Sequence, residues 1–303
     1  MSVLMSNPIV HKGIASHSQQ RMAIGPLTGK VALVSGCARA RGFGRAIARR
    51  LAQAGADLVM TDVSPGGLRV VESKPDSEQD GLDSAVEEIQ RMGRRASAAI
   101  ADVRSVDGVN AVVEQALKTF DRLDILVNNA AAAPGADRVP FVELSEDAWD
   151  TVIDTNLKGP FLLTRAAATV MLRQGVGGRI INVASTTGKI PYAKMAAYSA
   201  SKAGLLGLSR AMALELAPAQ ITVNAVCPGV ADTDRIDYVG IGADGMYDPE
   251  LRTKRLAARG AGIPLGRVAT SEDVAAVVAF LASDDAQYLT GEFINIAGGY
   301  VMD

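Results

Sequence analysis

The sequence predicts an α/β fold, one doubly wound parallel sheet of about seven strands flanked by helices on both faces. Three observations point there. Short apolar runs alternate with segments whose apolar residues recur three to four apart. The first of these runs passes through a glycine-rich turn directly into a helical pattern. Neither an internal repeat nor a linker-like stretch interrupts the alternation. At 303 residues and 48% hydrophobic content, the chain has enough apolar side chains for a large core.

Taken in order, Val31–Ser35 reads as the first strand, 36–44 as the glycine-rich turn, and 45–54 as a helix with Ile47, Leu51 and Ala54 on one side. Residues 57–61 form the second strand, ending at Asp62. The next stretch, 63–80, is polar, contains Pro65, Gly66, Gly67 and Pro75, and reads as an unusually long exposed loop with no assigned role. Leu82, Ala85, Val86, Ile89 and Met92 mark a helix before the third strand, 96–101. Val109, Val112, Ala116 and Phe120 mark another before the fourth, 123–127. A single long helix is expected over about 146–173, and a buried strand around Ile180, Ile181 and Val183 leads to Ser185. The Ala- and Leu-rich helix that follows carries Leu205, Leu208, Met212 and Leu216. Strand 221–226, a glycine-rich segment over 230–266 with a weak helix near 250–258, helix Ser271–Ala282 and strand Phe293–Ile296 complete the pattern.

Several function classes are excluded or disfavoured early. The net charge of −2 leaves no basic excess to neutralise phosphates, so no nucleic-acid partner is expected. No apolar run is long enough to span a bilayer. Cys37 and Cys227 lack metal-ligand spacing, so no metal site is expected and a reducing, cytoplasmic setting fits best. Residues 1–28 read as a flexible N-terminal tail, and 29–303 as a single dinucleotide-binding catalytic domain with a substrate loop at about 230–266. The only histidines, His11 and His17, fall in the tail, which removes histidine catalysis from the core.

The chemistry is concentrated in Ser185, Tyr198 and Lys202. On a helix, residues i and i+4 share a face, so the phenol of Tyr198 lies beside the ammonium of Lys202. A cation ~4 Å away contributes about 4 kcal/mol at an effective dielectric near 20, which lowers a phenol pKa toward neutrality. Such a tyrosine can exchange a proton with an alcohol oxygen that Ser185 also holds. The Tyr-x-x-x-Lys spacing alone also fits a surface tyrosine beside a lysine; the serine at a strand end and the motifs that follow carry the functional reading.

Gly36, Gly42 and Gly44, between a strand and a helix that opens near Phe43, suit a pyrophosphate approaching backbone N–H groups. Asp62 lies 18 positions after Gly44, where an acidic residue can accept from ribose hydroxyls and repel a 2′-phosphate. NAD is therefore expected over NADP, although Arg39 and Arg41 in the glycine turn are also suited to a 2′-phosphate. Asp102 and Val103, after the third strand, are placed to read adenine. Asn129 and Ala130 end the fourth strand. Asn156 is a polar residue inside a helix, read as a kink holding water beside Lys202, or as an ordinary bend residue. Pro228, Gly229, Val230 and Thr233 follow the sixth strand, where a loop can close over the nicotinamide carboxamide.

Together these residues resemble the short-chain dehydrogenase/reductase family in its single-domain, Tyr-x-x-x-Lys branch, over about residues 29–300. The resemblance implies a Rossmann-type sheet and catalysis by Asn156, Ser185, Tyr198 and Lys202. It also implies cofactor contacts from the glycine turn and a homotetramer built partly on the long helices; Arg41, in that turn, is expected from its position as a further cofactor contact. One departure is the glycine motif, in which five residues rather than three separate Gly36 from Gly42-Phe43-Gly44. The expected activity is NAD-dependent interconversion of a secondary alcohol and a ketone, on a small-molecule substrate with an apolar or cyclic lean. The alternatives are an NADPH-dependent carbonyl or 3-oxoacyl-thioester reductase and, from another class, a catalytically silent dinucleotide-sensing protein.

Overall fold

The structure, a computed structural model, describes residues 25–302. The two histidines and most of the expected tail lie outside the described residues. The runs Val31–Ser35 (β1), Asp57–Asp62 (β2), Ala96–Ile100 (β3), Ile125–Asn128 (β4), Gly178–Val183 (β5), Ile221–Pro228 (β6) and Phe293–Ile296 (β7) form one sheet in the order β3-β2-β1-β4-β5-β6-β7. All six pairings are parallel. The chain reverses its direction of travel across the sheet between β1 and β4. In open α/β sheets this switch point opens a crevice at the carboxyl ends of the strands.

The helices are Phe43–Gln53 (α1), Leu82–Arg91 (α2), Val106–Phe120 (α3), Glu146–Ile153 (α4), Gly159–Gln174 (α5), Ala196–Leu216 (α6), Pro249–Ala261 (α7) and Ser271–Ala282 (α8). Strand alternation divides the core between the two faces. Ala32, Val34, Leu58 and Met60 pack with Ile47 and Leu51 of α1, Ile89 of α2 and Val278 of α8. Val31, Leu33, Val59 and Leu126 face the other way, onto Val112 of α3, Leu163 of α5 and Met212 of α6. Side-chain caps set several helix starts: Ser105 accepts from Gly108, Ser145 from Ala148, and Thr270 and Asp273 form a reciprocal capping box.

Two segments differ from the sequence expectation. The single helix expected over 146–173 is two, α4 and α5, joined by a turn of π-helix at Asp154–Lys158. Asn156 sits in that turn, fully buried, with Oδ1 accepting from Ala132 N at 2.9 Å and Nδ2 donating to Ser201 Oγ at 3.1 Å. Drawing this side chain inward to two partners accounts for the extra residue in the turn. The stretch 63–80 is the long, mostly exposed loop expected, but it is anchored at points the sequence did not indicate. It folds back as a strap over the end of β2, with Val71 buried and Lys74 bonded to Asp234 and Asp237 on the far side of the crevice.

Candidate active site

Tyr198 stands in the first turn of α6 and Lys202 one turn later, so the helix delivers both to one face. Lys202 is 3% exposed; its Nζ donates to the Val183 carbonyl at the end of β5 at 2.7 Å and lies 5.8 Å from the centre of the Tyr198 ring. Ser185 follows β5; its Oγ accepts from Thr187 N at 3.1 Å, and its hydroxyl is near enough to the Tyr198 phenol to lower the phenol's pKa. Burial by itself would raise the phenol pKa. Lys202, Arg235, the Ser185 hydroxyl and Arg138 outweigh it, so the phenol titrates below its ordinary value. Burial and Arg235 likewise lower the Lys202 ammonium, against the opposing pull of Tyr198.

Tyr198 faces two hollows that also share Phe43, Ala184, Thr233 and Arg235. The first is a cleft of about 380 Å³ running across the switch point. Of the expected cofactor contacts, Gly36, Gly42, Phe43, Asp62, Asp102, Val103, Asn129, Ala130 and Lys202 line it. Gly36 has φ of +74°, and a Cβ there would meet Asn129 Nδ2 at 2.9 Å. Gly44 does not line the cleft, but a Cβ on it would overlap the Gly36 carbonyl, so its bareness lets the turn close. A glycine cradle at a helix start, with a carboxylate at the end of β2, fits a dinucleotide. Asp62 accepts from Ala38 N and Val63 N, both at 2.9 Å, and its burial raises its pKa.

The second hollow, about 510 Å³, adds the expected residues Ser185, Pro228, Gly229 and Val230, whereas Asn156, expected in the catalytic set, lines neither hollow. It extends toward Tyr192, Met195, Ile236 and Tyr300. Arg41, an expected cofactor contact, does not line the cleft. Its Nε bonds Asp234 at 3.0 Å and its Nη2 bonds Asp237 at 2.6 Å. Arg39 does reach the cleft, with its guanidinium on Asp76 at 2.8 Å and Asp80 at 3.3 Å.

With this geometry in view, comparison with known proteins decides the family. A family profile described as enoyl-(acyl carrier protein) reductase matches residues 36–301. The 2-dehydro-3-deoxy-D-gluconate 5-dehydrogenase of Escherichia coli is 36% identical over 91% of this chain and 96% of its own. A 3-oxoacyl-(acyl-carrier-protein) reductase of Staphylococcus aureus is 39% identical over 90% of this chain and 98% of its own. The chain belongs to the short-chain dehydrogenase/reductase family. Among solved structures, carveol dehydrogenase from Mycobacterium avium in complex with NAD superposes with a TM-score of 0.79 at 31% identity, covering 91% of this chain and 98% of that one.

As a member of this family the chain is an oxidoreductase acting on CH–OH or ketone groups. Its site also contains residues that sequence reasoning missed. Leu68 and Val70 of the strap line the cofactor cleft; the apolar LRVV run inside a polar stretch was the available signal. Arg138, in the loop after β4, lies with its guanidinium carbon 4.7 Å from the centre of the Tyr198 ring. Arg235 lies 5.2 Å from the same ring. Both fall in segments expected from the sequence to line the substrate site, Arg138 within 133–141 and Arg235 within 230–266, but only the fold shows that they meet at the Tyr198 ring.

Proposed function

We propose that this chain is an NAD(H)-dependent oxidoreductase that interconverts a secondary alcohol and a ketone in the cytoplasm. The observation that carries the reading is the phenol of Tyr198, lowered by Lys202 and the Ser185 hydroxyl, at the point where the cleft and the cavity meet. In the oxidative direction Tyr198, as phenolate, accepts the hydroxyl proton while Ser185 fixes the oxygen. Lys202 stabilises the phenolate, and Asn156 holds the proton-relay water in a backbone that the π turn widens. When bound, the nicotinamide supplies the hydride acceptor or donor. The glycine turn, Asp62, Asp102 and Asn129 hold and orient the cofactor.

NAD is favoured over NADP for two reasons. Asp62 lines the cleft as an acceptor for ribose hydroxyls. Arg39, which lines the cleft, pairs with Asp76 and Asp80, and Arg41, which does not line it, pairs with Asp234 and Asp237. The exposed apolar residues Phe161 and Leu172 on α5 and Leu214 on α6 support assembly as a homotetramer through those helices. A second reading, an NADPH-dependent 3-oxoacyl-thioester reductase, draws on the Staphylococcus aureus relative.

Replacing Tyr198 with Phe should lower turnover by about a thousandfold or more on any accepted alcohol, while fluorescence titration shows NADH still bound. Retained turnover sinks the assignment. A kcat/KM higher for NADPH than for NADH replaces the first reading with the second.

A further inference from the structure

Among the described residues three arginines, Arg138, Arg235 and Arg259, line the 510 Å³ cavity in front of Tyr198, and no aspartate or glutamate does. Arg259 is exposed at the edge, whereas Arg138 and Arg235 are partly buried against the Tyr198 ring. Among the described residues Arg235 has no ion pair, and its Nη1 donates to the Ala132 carbonyl at 2.5 Å. Arg138 has one carboxylate partner, Asp137, reached through Nε at 3.3 Å. Its Nη1 is buried and has no hydrogen-bond partner, a state it shares with Arg39 Nε and Arg94 Nε; what sets Arg138 apart is its place on a cavity wall without carboxylates.

A guanidinium nitrogen left unsatisfied in a protein interior costs about 1–3 kcal/mol. Such a cost is offset when a ligand supplies the acceptor, and a carboxylate matches the planar fork of arginine. We infer that the substrate carries a carboxylate, bound by Arg138 with support from Arg235, a few bonds from the carbinol that Tyr198 deprotonates. The substrate class is therefore a hydroxy acid and its oxo acid. This rests on the oxidoreductase reading above. In turnover the carboxylate is unchanged: the carbinol carbon gives hydride to the nicotinamide, and its hydroxyl proton goes to Tyr198.

The arginines have a second conceivable task, since their charges also lower the phenol pKa. The two roles separate experimentally. With NADH present, calorimetry would compare butanoate, 4-methylpentanoate and cyclohexanecarboxylate with their isosteric amides. At least one carboxylate should bind about tenfold or more tightly than its amide, and Arg138→Met should abolish that preference while thermal melting confirms folding. If no carboxylate of the series binds more tightly than its amide, the inference is overturned, with no variant required.

The kinetic arm compares 3-hydroxy acids with their methyl esters. Arg138→Met should lower kcat/KM on the acid about a hundredfold and on the ester only a few-fold; equal losses on both would assign Arg138 to phenol activation alone and overturn the inference. Carboxylate-selective binding without turnover of any acid or ester would overturn the alcohol–ketone reading and leave the anion site standing.

Discussion

At the glycine turn, cations and carboxylates are matched across three chain segments. Lys74 of the strap reaches Asp234 and Asp237, Arg41 reaches the same two, Arg39 reaches Asp76 and Asp80, and Arg252 of α7 reaches Asp232 and Asp237. Beyond Tyr198, in the adjoining cavity, three arginines line the wall and, among the described residues, no aspartate or glutamate does. The same residue type thus does two jobs. Where the fold supplies the counter-charge, arginine fastens separate segments together. Where it does not, arginine is held ready for an anion from outside. Arginine count in a sequence cannot separate these uses, because the difference lies in what the neighbouring segments contribute.

The contrast can be broken most forcefully at Asp237, 2% exposed and shared by Arg41, Lys74 and Arg252. Asp237→Asn leaves buried cations short of a counter-charge and should cost about 3–5 kcal/mol in urea unfolding. A loss within experimental error would mean that the matched side is ornamental. On the unmatched side, Arg235→Met removes a positive charge that lowers the Tyr198 phenol. Alcohol oxidation requires the phenolate, so the acidic limb of its kcat/KM profile should move to higher pH. An unmoved limb would sever Arg235 from the site's electrostatics.

The smallest expected effect is at Lys74. Lys74→Met should loosen the strap at a cost of about 1 kcal/mol, read as a roughly fivefold rise in the Kd for NADH. Acid should do the same to the native protein. Burial would raise the Asp234 carboxyl, but Lys74 and Arg41 hold it below the usual carboxylate range. A depressed carboxylate contributes stability that is complete above its unfolded pKa and fades as pH falls through the depressed value. Proteolytic cleavage within 63–80 should therefore accelerate at acid pH in the native chain and be fast at all pH values in Lys74→Met.

Much of the fold was legible because its signals are local. Ile47 and Leu51, Val109 and Val112, and the runs at Val31–Ser35 and Phe293–Ile296 carry their periodicity within a few residues, and each became the element it spelled. Tyr198 and Lys202 were legible as a pair because helix geometry makes i and i+4 neighbours anywhere. The break at Asn156 was only half legible. A polar residue in a helix announced a disturbance, but the partners that draw it inward, Ala132 and Ser201, come from two other segments. The loop over 63–80 was legible, but its anchoring was not, since its partner carboxylates lie 160 and 163 residues from Lys74.

The sequence by itself determined the layered sheet, the glycine turn and the phenol–ammonium pair, because each follows from spacing along one element or from a turn that joins two. Tertiary structure alone decided which arginines are spent on partners and which are left open. Electrostatic matching depends on distances through space between segments far apart in the chain, and no local pattern encodes those distances.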